Sequence, residues 1–390
     1  MHIVGGNELT LLKNGEQYFP ALVEAIDMSQ MEVFLESYIF QDDETGKTIA
    51  EALCRAAARG VSVHLLIDGF GSRSFPFHLR KALTDRGVHL QVFRPKVRFW
   101  QASRARLRRM HRKMAAIDSK IGFVGGINVI DDYNTPGHSP PRFDYAVRIA
   151  GPIAGDIRGA AARLWALISM ANLGRRGVKF SALPDLYSGP WTRSPVADGG
   201  VRLVVRDSVG HRRDIENALL EAIASAREEI VIACAYFLPG RRFRKALTDA
   251  CARGVHVVLI LQGRVEYALL HYASRALYGA LLQAGVEIHE YHRGFLHAKV
   301  SVIDRRISSI GSSNIDPFSL LLAREANLFV EDDGFAAELH TSLVEATHAG
   351  ATQLPGSEWS RLPWTQRFLI WAGYAFARGL TSFAGSEPYH

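Results

Sequence analysis

Cysteine, long apolar runs and metal-ligand spacings are what this chain lacks. Its 390 residues include three cysteines, Cys54, Cys234 and Cys251. So few, at such spacings, make neither a disulfide framework nor a zinc site, and buried free thiols in a reducing compartment are expected. No stretch approaches the roughly 20 apolar residues a helix needs to span a bilayer. The opening residues MHIVGGNELTLLKNGEQYF hold no basic region followed by an apolar one. A secretory signal is therefore not expected, and any membrane association should be peripheral. His289 and His292, in HEYH, invite a metal, but three apart on a strand they face opposite sides, so no metal is expected there. Acidic residues are in deficit: 39 Asp and Glu face 46 Lys and Arg, a formal charge of +7. That balance favours polyanionic partners, either nucleic acid or an anionic membrane surface. What is present is a globular composition, 48% apolar and 22% charged, enough for two ordinary domains or two halves of one.

The chain is one unit written twice. ARGVSVHLLI at 58–67 matches ARGVHVVLIL at 252–261, and RGVHLQVF at 86–93 resembles AGVEIHEY at 284–291. SYIF at 37–40 has a looser echo in AYFL at 235–238, and HRKMAAID at 111–118 matches HAKVSVID at 297–304. Four matches in the same order at similar offsets mean a duplicated fold unit. Within each copy, β-branched and aromatic runs read as strands: 33–40, 61–68, 88–93 and 115–124, then 230–237, 255–261, 286–291 and 300–310. Helical stretches such as 46–59 and 241–253 lie between them, closed by Gly60 and Gly254. The alternation predicts an α/β fold with a mostly parallel or mixed sheet in each half. The expected division is a first half over 1–172, a connection over 173–200 rich in Gly, Pro, Ser and Arg, a second half over 201–355, and an apolar C-terminal segment over 356–390.

The repeated chemistry is H-x-K-x4-D, at His111, Lys113 and Asp118 and again at His297, Lys299 and Asp304. Histidine and lysine two apart on a strand project to one face. Downstream the copies stay in step: Asn128 follows Gly125-Gly126, and Asn314 follows Gly311-Ser312. A phosphodiester has two non-bridging oxygens and one negative charge. Lys113, Lys299, Asn128 and Asn314 suit phosphate binding and the charge that grows in the transition state. One imidazole attacks phosphorus; the other protonates the leaving alkoxide and then deprotonates the incoming alcohol. Each copy supplies one histidine, so both must meet across a pseudo-two-fold. Each histidine also needs a carboxylate to set its tautomer. Asp144, 33 residues after His111, and Glu325, 28 after His297, stand in matching places and are the expected orienting partners. Asp118 and Asp304 belong to the motif, but a structural pairing with backbone or basic groups suits them better than catalysis.

The pair resembles the phospholipase D superfamily, from about Asn7 to the C-terminus. It is most similar to bacterial cardiolipin synthases without N-terminal transmembrane helices, the cardiolipin synthase B group. The stretches that carry this are NGEQYFPALVEAI, FLESYIFQDD, LLIDGFGS, HRKMAAIDSKIGFVGGINVIDDYN, RFDYAVRIAGP, ACAYFLPGRRFRKAL and HAKVSVIDRRISSIGSSNIDPFS. The resemblance implies two α/β halves related by a pseudo-two-fold, with the active site at their interface. It implies transfer of a phosphatidyl group onto a glycerol hydroxyl of a second lipid, typically phosphatidylglycerol, with no cofactor. The implied setting is the bacterial inner membrane, held peripherally, with an anionic phospholipid surface as partner and no nucleic acid. By superfamily analogy His111 is the nucleophile and His297 the acid and base. Motif chemistry alone leaves open a hydrolase, with water as acceptor, and a superfamily nuclease. Glu36 matches an acidic family position, and its second-half counterpart is read as Cys234. Nothing in the sequence speaks for an oligomeric state.

Three further features fit more than one role. The stretch 94–113 holds nine Lys or Arg with Phe99 and Trp100, as a lid over anionic headgroups would, or a solvated loop, or a single-stranded nucleic acid contact. Residues 368–385 form an apolar stretch with one charge, Arg378, suited to a membrane interface or to docking on the protein body. Asp68, after a strand, fits the cleft wall or a turn cap.

Overall fold

The computed structural model describes residues 2–95, 108–135, 139–175, 200–207, 210–264 and 268–356. Residues 96–107 of the basic stretch, 176–199 of the connection, and the apolar segment 368–385 lie outside the described residues.

The first half runs β1 His2–Val4, β2 Asn7–Lys13, α1 Asn14–Asp27, β3 Glu32–Ser37, α2 Glu44–Ala58, β4 Ser62–Asp68, α3 Phe77–Asp85, β5 His89–Phe93, β6 Met114–Ile117, β7 Ile121–Gly125, β8 Arg142–Phe143, β9 Tyr145–Ala150 and α4 Ile153–Arg175. The second half runs β10 Val201–Arg206, α5 Asp214–Ser225, β11 Glu229–Cys234, α6 Arg241–Ala252, β12 His256–Gln262, α7 Ala268–Gln283, β13 Glu287–Tyr291, β14 Phe295–Leu296, β15 Lys299–Ile303, β16 Ile307–Gly311, α8 Pro317–Leu321, β17 Glu325–Glu331, α9 Asp333–Gly350 and β18 Ala351–Gln353.

Each half forms one sheet. The orders are β1-β2-β9-β7-β6-β3-β4-β5 and β10-β17-β16-β15-β11-β12-β13-β18. Apart from β1 and β18 at opposite edges, the two orders are the same path through space. Within each, β3-β4-β5 and β11-β12-β13 pair in parallel, and the strands carrying the motif pair antiparallel. The sheets are mixed, as the alternating pattern predicts.

Side-chain alternation divides the core. From β6, Met114 and Ala116 enter the cluster between the sheets, while Ala115 and Ile117 enter the cluster under α1, α2 and α3. Helices α4 and α9 fill the space between the sheets, through Ile157, Leu164 and Trp165 on one and Phe335, Leu339 and Leu343 on the other. The layers therefore read helix, sheet, helix pair, sheet, helix, with one apolar core shared by both halves. α4 continues through Arg175, past the boundary expected at 172.

The motif aspartates hold hairpin turns. Asp118 and Ser119 both have positive φ, 53° and 54°, and so do Asp304 and Arg305, at 52° and 50°. Lys120 N donates to Ile117 O, and Arg306 N to Ile303 O, which closes tight two-residue turns that match strand twist. The Asp118 carboxylate accepts from the backbone N–H of Gln30, Met31 and Glu32 at 2.8–2.9 Å. Asp304 does the same for Arg227, Glu228 and Glu229. These amide bonds hold both carboxyls below the usual aspartate range, against the raising effect of burial. Grouped with the catalytic residues by the motif, both sit instead at the far end of the strand.

The structure corrects the repeat register around Glu36. Val129 N donates to Ser37 Oγ, and Ile315 N donates to Cys234 Sγ. Ser37 Oγ and Cys234 Sγ each donate to the carbonyl two residues on. Cys234 is thus the counterpart of Ser37, and 37–40 matches 234–237 rather than 235–238. Glu36 corresponds to Ala233. Cys54 and Cys234 are buried free thiols, and Cys251 is half-buried.

Candidate active site

Each motif enters on an extended segment just before its strand, and that segment is held by the other half. His111 N donates to Arg324 O at 2.9 Å, and His297 N to Phe143 O at 2.8 Å. β14 also pairs in parallel with β8, Leu296 beside Phe143. Arg324 and Phe143 immediately precede Glu325 and Asp144. Each histidine is thereby set beside the carboxylate of the opposite repeat.

The result is two crossed dyads. His111 Nδ1 lies 3.0 and 3.1 Å from the carboxylate oxygens of Glu325, and 3.2 Å from Ser312 O. His297 Nδ1 lies 2.5 Å from Asp144 Oδ2. Asp144 and Glu325 are brought to the histidines, but the chain-order pairing of Asp144 with His111 and Glu325 with His297 is not what forms. A carboxylate at Nδ1 keeps the proton there and leaves Nε2 with its lone pair toward the cleft.

The small residues beside the asparagines have distinct duties. A Cβ on Gly126 would fall 2.3 Å from Asp144 Oδ1, so only glycine leaves room for that carboxyl. At the equivalent position, Ser312 Oγ donates to Glu325 Oε2 at 2.5 Å. The longer acid meets a hydroxyl and the shorter one a bare backbone. Asn128 Oδ1 accepts from Ile39 N and Asn314 Oδ1 from Tyr236 N. Fixing the oxygen this way leaves the NH2 of each amide as the donor end. Lys113 Nζ donates to His111 O at 2.7 Å, and Lys299 Nζ donates to His297 O.

Burial dominates the electrostatics. It brings Lys113 down to about 7, against Glu325, which raises it. It pushes Asp144 up to about 6, against Lys299. It lowers His111, with Glu325 opposing, and lowers His297 well below the usual imidazole value, with Lys299, Arg142 and Lys113 adding to the effect. Each of these four groups feels charges from both halves, so the site is one electrostatic unit. An anion placed there would be worth far more than in water.

Three contributors were not singled out by sequence reasoning. Ser312 is one, and only its smallness was legible. Tyr38 places its ring edge-on to His111 at 4.8 Å and under Lys113 Nζ at 5.3 Å; its counterpart is Ala235, so it has no repeat signature. Arg206 is buried and registers directly opposite Glu325 on β10, and the attraction between the two charges supports the Glu325 carboxylate. Of the two roles expected of Asp68, the turn cap is the one that forms, and the side chain is fully buried. It caps its own turn through Phe70 N and Gly71 N, and it holds Met110 N at 2.9 Å, one residue before His111. His289 bonds Glu287 within its strand, and no group of three metal-ligating side chains occurs among the described residues.

Comparison with known proteins places this geometry. A family model described as cardiolipin synthase, PLD-like domain, matches residues 22–135 and 219–346. Cardiolipin synthase B of Escherichia coli strain K12 is 36% identical over 390 residues, covering 99% of this chain and 91% of that protein. Cardiolipin synthase A of Pseudomonas fluorescens is 33% identical over 364 residues, covering 92% and 72%. Among solved structures, phosphatidylserine synthase of Haemophilus influenzae superposes with a TM-score of 0.69 at 14% identity, over 96% of this chain and 94% of that one, a likeness of fold.

Proposed function

The chain belongs to the phospholipase-D-like cardiolipin synthase family, and from that premise we propose that it makes cardiolipin from phosphatidylglycerol through a phosphatidyl-histidine intermediate. The observation that carries this reading is the pair of crossed dyads, each histidine completed only by the other half.

His111 is the nucleophile. Its Nδ1–H is held by Glu325, and Nε2 attacks the phosphorus of a bound phosphatidylglycerol. The bond to the glycerol oxygen breaks, and the His297–Asp144 pair gives that oxygen its proton. The proton given is the one on His297 Nε2; the 2.5 Å contact places the Asp144 carboxyl on Nδ1, where its negative charge favours the doubly protonated imidazole that a general acid must be. Glycerol leaves. A glycerol hydroxyl of a second phosphatidylglycerol then gives its proton to His297 and attacks phosphorus. The phosphorus–nitrogen bond breaks, cardiolipin departs and His111 is restored. Lys113, Lys299 and the amide donors of Asn128 and Asn314 hold the non-bridging oxygens through both transfers. The lysines supply the positive charge, so the step calls for no metal or cofactor.

Phospholipid substrates place the work at an anionic membrane surface. No described helix is long and apolar enough to cross a bilayer, and a net positive chain binds such a surface peripherally. The bacterial inner membrane is the setting this reading implies.

Purified protein added to phosphatidylglycerol vesicles tests it. Cardiolipin and glycerol in equal amounts are expected, with a labelled phosphatidyl adduct on His111 that accumulates in His297→Asn. Phosphatidic acid as the main product, or a full-level adduct in His111→Asn, would overturn the corresponding part.

A further inference from the structure

Two cavities occupy matching places where a central helix meets an outer strand of the opposite half. One, of about 450 Å³, lies between α4 and β10. Its pseudo-two-fold mate, of about 470 Å³, lies between α9 and β2. The space itself therefore comes with the duplicated architecture. Its chemistry does not. The first is lined by Arg112, Arg163 and Arg324, with His211 and a single acid, Asp207. The mate has Glu338 and Glu345 against Lys13.

The cations of the first cavity are not required by the fold. Arg112 corresponds to Ala298, and its buried ion-pair partner Glu36, 2.6 Å away, corresponds to Ala233. The second half folds with an alanine pair where the first buries two charges, and such a pair seldom adds stability over an apolar one. Arg324 corresponds to Phe143, as their matching bonds to His111 N and His297 N establish. One guanidinium nitrogen of this wall is also unused: Arg112 Nε is buried with no hydrogen-bond partner among the described residues. Asp207, the one acid in the lining, accepts from Gly210 N and His211 N, and its charge acts on Arg324 as well. Beside these cations, Leu164 and the 46% exposed Leu167 give the cavity an apolar wall. Cations facing an apolar wall suit a phosphate carried on an apolar body.

We propose that this cavity is a second anion site, which takes the phosphate of an anionic glycerophospholipid apart from the one being transferred. It lies on the face of the motif segment opposite His111 and Lys113, since Arg112 projects the other way. The identity of the ligand as a lipid rests on the function proposed above; the phosphate chemistry does not. Arg324 also supplies the carbonyl that holds His111 N, so a phosphate drawn onto its side chain bears on the first dyad.

Equilibrium binding of soluble short-chain phosphatidylglycerol and, separately, of inorganic phosphate tests the site without reading turnover. The full chain is expected to bind two equivalents. Arg163→Glu combined with Arg324→Gln should bind one, and Arg324→Lys should keep two. Filling of the second site by lipid at least tenfold more tightly than by phosphate identifies a headgroup; equal filling identifies free phosphate. A single equivalent in the unaltered chain, or two in the double variant, overturns the proposal. Arg163→Glu alone, on the surface of α4, keeps the test open if the double variant does not fold. A chain that binds two equivalents yet makes no cardiolipin would refute the proposed function and leave the second site standing.

Discussion

Crossing of the dyads makes a prediction that chain order would reverse. Glu325→Gln removes a negative charge 3.0 Å from His111 Nδ1 and leaves an amide that still accepts a hydrogen bond. With both charges spread over their groups, an effective separation near 4 Å and dielectric near 20 give about 4 kcal/mol. That is roughly three pH units at 1.36 kcal/mol each. The surviving hydrogen bond and the lysines' own field reduce this to a shift of about 1–2 units. The imidazole that loses the carboxylate becomes less basic. The nucleophile must be neutral, so the acid limb of the pH–rate profile belongs to His111 and should move to lower pH in Glu325→Gln. The general acid must be protonated, so the alkaline limb belongs to the His297–Asp144 dyad and should fall by a similar amount in Asp144→Asn. Each variant should also lose about 10²–10⁴-fold in rate.

Two measurements make the prediction refutable. Histidine-labelled protein titrated by NMR, with signals assigned through His111→Asn and His297→Asn, should show His111 responding to Glu325→Gln and His297 to Asp144→Asn. The opposite response would refute the crossing. If the NMR result stands but the two kinetic limbs exchange, the crossing holds and the nucleophile is His297.

Other consequences follow from the same geometry. Lys113, brought down to about 7 by burial, is partly neutral above that pH in the free protein, and an oxyanion in the cleft should recharge it. Tungstate binding measured by calorimetry at pH 8 in buffers of different ionisation enthalpy should report net proton uptake, lost in Lys113→Met. Asp118→Asn or Asp304→Asn should cost about 1–3 kcal/mol of stability by urea unfolding, with folded protein retaining its turnover per molecule. Both carboxyls are held below their unfolded values, so their contribution is present at neutral pH and is lost as pH falls through the folded pKa. Gly126→Ala should displace the Asp144 carboxyl and lower the rate by about 10²-fold with little change in lipid binding, read as kcat against KM.

The duplicated α/β unit and the meeting of the two motifs were legible because duplication prints the same periodicity and the same histidine, lysine and asparagine twice. The register of β3 against β11 was not. Residues 37–40 and 235–238 look alike by side chain, yet the hydrogen bonds of Ser37 and Cys234 fix the match one residue earlier. A serine and a cysteine do the same work there, and sequence similarity does not reward that exchange.

The crossing was hidden for a different reason. Chain distance from His111 to Asp144 suggests a partnership that the interface forbids, because the motif segment pairs with the lead-in to the other half's carboxylate strand. One signal was present all the same. Gly126 and Ser312 occupy the same repeat position but differ, and so do Asp144 and Glu325: a short acid goes with glycine, a long acid with serine. Those covarying differences mark a two-fold that is no longer symmetric in its chemistry. A reaction with a nucleophile on one side and a proton donor on the other calls for that: equal dyads would share charge equally and leave the bound phosphodiester with no preferred direction of attack. The Glu36–Arg112 pair, present in one half against Ala233 and Ala298 in the other, extends the same asymmetry to the layer behind the site.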